Sequence, residues 1–293
     1  MDLNDLFRAK GVDPKQVLVV RHRPPEPKLN KVLPRLAAEE PDVFNAYQQT
    51  QGEKLEKVLQ AMSGTGYVAS FIGHEPGKAV FVGLYSIGPS KPLTRDEFWQ
   101  VQAYADMRAK YGMKGPDEGR SSILWFDLVP TAFYAWWKGK LIVEWPPPEI
   151  SWWRRAHRNT MPILSILEDS RLDPPMSEWY EIVLEWEEIG LLSPSWRSKL
   201  TEWRGIYYIL DTSDGKGYVG SAYGVDNLLG RWLQYAASGH GGNSLLRERN
   251  PRDFRFAILQ RVSPDEDAES VIQLENAWKK RLRTRTPFGL NDN

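Results

Sequence analysis

The stretch GIYYILDTSDGKGYVG, Gly205 to Gly220, places two tyrosines, Tyr207 and Tyr218, on short apolar runs facing each other across a polar turn. An arginine, a glutamate and an asparagine follow in order: Arg231, Glu275 and Asn291. These side chains suit chemistry on an anionic substrate. A phenol, with an ordinary pKa of about 10, becomes a base when positive charge favours its phenolate. A guanidinium holds an oxyanion through its planar fork. A carboxylate can carry a hard divalent cation. The chain of 293 residues has no cysteine and only four histidines: His22, His74, His157 and His240. Disulfides and thiolate zinc sites are therefore excluded. A divalent metal would sit on carboxylates and water, which favours magnesium or manganese.

Regular elements must position these groups. GIYYIL and GYVGSAY read as the two strands of a hairpin. Side chains alternate along a strand, so Tyr207 and Tyr218 could project to one side. VDNLLGRWLQYAA is an amphipathic helix carrying Arg231 and Tyr235. SGHGGNS is a glycine-rich loop holding His240, and FRFAILQRV is a third strand. SPDEDAESVIQLENAWKKRLR predicts a helix bearing Glu275, with Ser263 as N-cap, Pro264 in the first turn and Glu266 completing a capping box. Asn291 lies in the tail TPFGLNDN.

In this order, Gly205-Ile206-Tyr207, Tyr218-Val219-Gly220, Arg231, Glu275 in LENAWKKRL and Asn291 in FGLN resemble the GIY-YIG nuclease superfamily. The resemblance covers the last third of the chain. Valine replaces isoleucine in the second triplet, and Tyr235 stands where many members carry a histidine. It implies a small three-stranded antiparallel sheet flanked by helices. It also implies a phosphodiester hydrolase with Tyr207 as general base, Tyr218 as helper and Arg231 on the scissile phosphate. Glu275 would be the sole protein ligand of a hydrated Mg2+ or Mn2+, and Asn291 would fix the local geometry. Tyr235 and His240 are further candidates for proton handling. Plainer roles stand beside these. The tyrosines could be packing, and Glu275 could be a surface charge paired with Lys279 at i,i+4, with Glu269 the competing acid.

The preceding residues read differently. Up to about residue 65 the chain is mostly helical, with a β-branched run QVLVV. GYVASFIG and KAVFVGLYSIG form a hairpin across HEPG; TRDEFWQVQAYADMRAKYG is a helix with Thr94 as cap and Glu97 three residues on. SSILWFDLV and GKLIVEW are strands, whereas MPILSILEDSRL and EIVLEWEEIGLL read as short helices. SPSWRSKLTEW reads as a boundary. The expected class is α+β: a mixed N-terminal region with a small bent sheet or a PUA-like barrel, and a C-terminal GIY-YIG domain. Its expected division is a target-recognition domain at 1–195 and a nuclease domain at 200–293.

Ten of the 13 tryptophans precede residue 200. Aromatic rings can stack on a base taken out of the duplex. The pairs Trp136-Trp137 and Trp152-Trp153 stand out, because Lys138 and Arg154 adjoin them. The cluster KKRLRTR adds Lys279, Lys280 and Arg283 as candidate phosphate contacts. Core packing is the alternative for most of the tryptophans. The net charge of zero gives no bulk attraction to nucleic acid. No apolar run of membrane-spanning length and no signal core is present, so the default is a cytoplasmic protein. The expectation is a DNA endonuclease acting on double-stranded DNA; cutting both strands would need a homodimer, two sequential events or two bound copies. Its setting would be restriction of foreign, perhaps base-modified, DNA. A structure-specific repair nuclease and a non-catalytic DNA-binding module are the alternatives.

Overall fold

The computed structural model describes residues 1–117, 119–173 and 176–292. The chain forms two compact units, Met1–Pro174 and Pro175–Asn293.

The first unit holds helices α1 (Leu3–Ala9), α2 (Pro27–Glu39), α3 (Pro41–Gln48), α4 (Glu53–Ala61), α5 (Arg95–Gln100) and α6 (Gln102–Tyr111). Its strands are β1 (Val17–His22), β2 (Tyr67–Gly73), β3 (Lys78–Thr94), β4 (Ser122–Pro130), β5 (Leu141–Glu144), β6 (Trp153–Arg155) and β7 (Ile163–Ile166). They make one sheet in the order β6-β1-β2-β3-β5-β7, with β4 also on β3. Only β1 and β2 run parallel. The long β3 pairs with β5 and β2 through its first half and with β4 through its second. Register shifts at Ser70/Phe71 and Ile87/Ser90 bend it, so the sheet curls. All six residues of β1 are buried, including Arg21 and His22. Phe7, Phe71, Phe81 and Trp145 belong to the core of this unit.

The predicted hairpin and the Thr94–Glu97 capping box are present. The helix it opens breaks at Val101, whose extended backbone separates α5 from α6. MPILSILEDSRL is not helical. It contributes β7, which pairs with β5, so period-two alternation wins over a helical reading.

The second unit holds β8 (Val183–Glu185), α7 (Trp186–Ile189), α8 (Pro194–Glu202), β9 (Arg204–Asp211), β10 (Gly217–Ala222), α9 (Asn227–Ser238), β11 (Phe254–Val262) and α10 (Ala268–Leu282). Its sheet is antiparallel, in the order β10-β9-β11-β8, and has four strands rather than the expected three. The fourth, β8, comes from the segment read as a helix. Ile182, Leu184, Ile189 and Leu192 pack into the same core, so the division falls at Pro174/Pro175 and not at 195–200. The expected boundary SPSWRSKLTEW is α8, with Ser193 as N-cap. α10 starts later than predicted. Its N-cap is Asp267, which accepts from the Ser270 amide, while Ser263 begins a turn before it.

The sheet of the second unit has a core on each face. Tyr207, Ile209 and Ala222 pack with α9 on one. Ile206 and Val219 pack with Val271, Leu274 and Trp278 of α10 on the other. Among the described residues no helix is long and apolar enough to cross a membrane.

Candidate active site

β9 and β10 pair with Tyr207 opposite Gly220 and Tyr218 opposite Ile209. Both tyrosines project to the α9 face, as the alternation predicts. There they meet Tyr235. The three rings lie 6.1–6.3 Å apart, centre to centre. The Tyr207 and Tyr235 hydroxyls are 3.2 Å apart. A Cβ at Gly220 would run into the Tyr207 hydroxyl and the Tyr218 ring, so this glycine is what lets two phenols share the space. Arg231, one helical turn before Tyr235, lies 5.8 Å above its ring and donates to Gln234 at 2.7 Å.

Tyr207 and Tyr235 are fully buried, and Tyr218 is half-buried. Burial pushes the Tyr207 phenol up. Tyr218 acts in the same direction, while Arg231 and the hydrogen bond from Tyr235 pull it back without overcoming burial. Burial likewise raises Tyr235, reinforced by Tyr207 and Tyr218. The expected lowering of a phenol pKa is therefore absent in this arrangement, because desolvation exceeds the pull of Arg231.

Glu275 sits on the other face. β10 places Val219 and Ser221 towards α10, and the Ser221 hydroxyl donates to Glu275 Oε2. Lys279 Nζ is 2.8 Å from Glu275 Oε1, and the two side chains are 4% and 16% exposed. Both carboxylate oxygens are thus engaged. β10 separates this acid from the phenols, and the site straddles it. Glu269 lies in the first turn of α10 and is exposed.

Asn291 locks the outer edge of β10. Its Oδ1 accepts from the Val219 amide at 3.0 Å, and its Nδ2 donates to the Val219 carbonyl at 2.9 Å. It is 1% exposed. The Leu290 amide also donates to the Gly217 carbonyl, so the tail extends the sheet by side chain and backbone. His240 is half-buried in the loop after α9, where its Nδ1 accepts from the Gly242 amide at 3.0 Å. Nδ1 is then unprotonated, and a neutral ring carries its proton on Nε2.

The residues expected to touch DNA separate into two groups. Trp136 is 63% exposed and Trp152 is 37% exposed. Lys280 and Arg283 are exposed. Trp137 instead stacks on Tyr134, centroids 4.2 Å apart, against the core of its unit. Trp153 and Lys138 are half-buried, and burial lowers the Lys138 amine. Arg154 donates to the Pro146 and Pro148 carbonyls. Lys279 is buried against Glu275 and is not a surface phosphate contact. Ser221 was not singled out by sequence. It directly follows the second triplet, and strand alternation from Val219 points it at α10.

A metal finds a limited donor set here. Among the described residues no three of the His, Asp and Glu side chains cluster as a metal cage. One carboxylate beside one hydroxyl fits a hard, largely hydrated ion.

Residues 204–291 match the family model of the GIY-YIG catalytic domain. No curated protein matches the chain. Among solved structures, the catalytic domain of homing endonuclease I-TevI matches at 29% identity, over 31% of this chain and 98% of that one, with a TM-score of 0.26. The C-terminal unit therefore carries a GIY-YIG nuclease domain, as its motifs suggested.

Proposed function

From a GIY-YIG catalytic domain at residues 204–291, we propose that the protein is a divalent-metal-dependent DNA endonuclease. The observation that carries this is the pairing of Glu275, on α10, with Ser221 of the strand that bears Tyr218. It ties the acid to the strand of the second triplet. Glu275 and Ser221 would hold a magnesium or manganese ion once Lys279 gives way. That ion supplies a Lewis acid for the phosphate and its leaving oxygen.

The chain's own residues do the rest. Arg231 binds the scissile phosphate and balances its charge. Tyr207, whose hydroxyl meets that of Tyr235, takes the proton of the attacking water once the charge of bound substrate and cation adds to Arg231 and outweighs the burial that holds the phenol protonated. Asn291 fixes β10, and hence Tyr218, without touching substrate. Tyr218 is the alternative base, because it is the half-buried phenol of the pair while Tyr207 is sealed.

The first unit selects the target, with exposed Trp136 and Trp152 as its DNA contacts. One catalytic site cuts one strand, so a double-strand break takes a dimer, two bound copies or two sequential cuts. The setting that suits this is restriction of foreign DNA. A cleavage panel tests it, with plasmid DNA, DNA carrying modified cytosines and a branched junction, each in magnesium and in manganese. Cutting of linear or plasmid DNA is the predicted result. Cutting of the junction alone moves the protein to repair, and no cutting leaves a binding module.

A further inference from the structure

The first unit contains a cavity of about 540 Å³, within the ~300–1,000 Å³ of small-molecule sites. It lies beside the end of β1, is open to solvent on one side, and is bordered by Met113, Pro116, Asp117, Ile150 and Trp152. Its lining is unusual for a packing defect. His22, Tyr47, Phe98 and Trp152 supply flat aromatic surface. Glu26, Gln51 and Asp117 supply polar groups. His22 is 4% exposed and packs its ring edge-on against Phe44 and Tyr47. Trp152 stands at 37% exposure, and exposed Arg23 adjoins it in the lining. Arg21 and Arg120 are already committed to Glu149 and Glu56.

We propose that this cavity receives one unstacked nucleobase of the DNA target. The reading rests on the endonuclease assignment of the second unit. A nucleobase is planar, carries donors and acceptors on its edge and trails a phosphate. The cavity answers each part. Trp152 and Tyr47 offer faces for stacking. Gln51, Glu26 and Asp117 offer an edge that pairs with donors and acceptors. Arg23 offers a charge for the flanking phosphate. A single base read in this way chooses the site, while the second unit cuts.

The test uses the full chain with Glu275→Gln to stop cleavage. Calorimetric titrations with dAMP, dCMP, dGMP and dTMP are run beside ribose 5-phosphate. Binding of at least one mononucleotide is expected, weakened tenfold or more by Trp152→Ala and by Gln51→Ala. Tyr180→Ala, on the exposed surface of the other unit, should leave it unchanged. A melting curve for each variant verifies the fold. No mononucleotide binding at millimolar concentration overturns the proposal. So does ribose 5-phosphate binding as well as the nucleotides, because the site would then read phosphate alone. Plasmid cleavage by the unsubstituted chain separates the two readings. Cleavage without nucleotide binding removes the cavity assignment only. Nucleotide binding without cleavage supports the cavity and removes the endonuclease reading only.

Discussion

Lys279 lies 2.8 Å from Glu275, one turn along α10, and is the more deeply buried of the two. Its ammonium neutralises the acid where a divalent cation would bind. Lys279→Met leaves a largely buried carboxylate unpaired, at a cost of about 3 kcal/mol in metal-free buffer. Magnesium or manganese should then restore stability in the variant far more than in the unsubstituted chain. Thermal melts with and without the cation measure this. An equal cation response in the two proteins would separate Glu275 from metal binding.

The three phenols give different predictions. Tyr207→Phe removes the assigned base and should lower cleavage by about 10²–10⁴-fold with the fold intact. Tyr235→Phe removes a hydroxyl that hydrogen-bonds Tyr207 and Tyr218 rather than the base itself and should lower it less. Single-turnover cleavage rates with melting curves decide. If Tyr218→Phe is the inactive variant and Tyr207→Phe is not, the half-buried phenol is the base.

Asn291→Ala leaves the Val219 amide and carbonyl unpaired in a buried setting. Two such groups cost roughly 2–4 kcal/mol, which lowers the melting temperature of the unit on the order of 10 °C. Cleavage should fall with it, because β10 carries Tyr218. Asn291→Asp keeps the acceptor but sets a buried carboxylate oxygen against the Val219 carbonyl, so at neutral pH its melting temperature should be at least as low as that of Asn291→Ala.

His22 predicts an acid transition in the first unit. Burial lowers its pKa from 6.5 to about 4. The folded state therefore holds the ring neutral while the unfolded chain takes up a proton below pH 6.5. The stability this represents is present above 6.5 and is lost as pH falls towards 4, on the order of 3 kcal/mol in all. In His22→Gln, urea stability of the first unit should vary less between pH 7 and pH 4. An unchanged pH slope would contradict the burial of His22.

The strands and helices that carry Tyr207, Tyr218, Arg231 and Glu275 were legible because each is strongly patterned, whereas Asn291 in the tail was reached only through its motif position. The meeting of both tyrosines on one face needed only strand alternation. What escaped depends on partners distant in the chain. β8 is three residues long and gains its identity from β11, so no periodicity marks it. Lys279 reads as one charge in a basic run, and only the packing of α10 on the sheet buries it. Trp137 looks like Trp136 until Tyr134 stacks on it. Arg21 and His22 continue the apolar run LVV, where charge in a buried strand was a visible anomaly. The cavity they line is bordered by loops more than ninety residues on, which no local pattern shows.

The central claim is that Glu275 serves phosphodiester hydrolysis. The direct measurement is supercoiled-plasmid cleavage in magnesium and in manganese by the unsubstituted chain and by Glu275→Gln, which keeps a partner for Ser221. The account predicts nicked or linear product from the first. At least a thousandfold loss is expected from the second, with DNA retention preserved; its melting temperature falls because Lys279 loses the buried carboxylate it pairs with, so the two are compared at a temperature where the variant stays folded. Full activity in Glu275→Gln would contradict it.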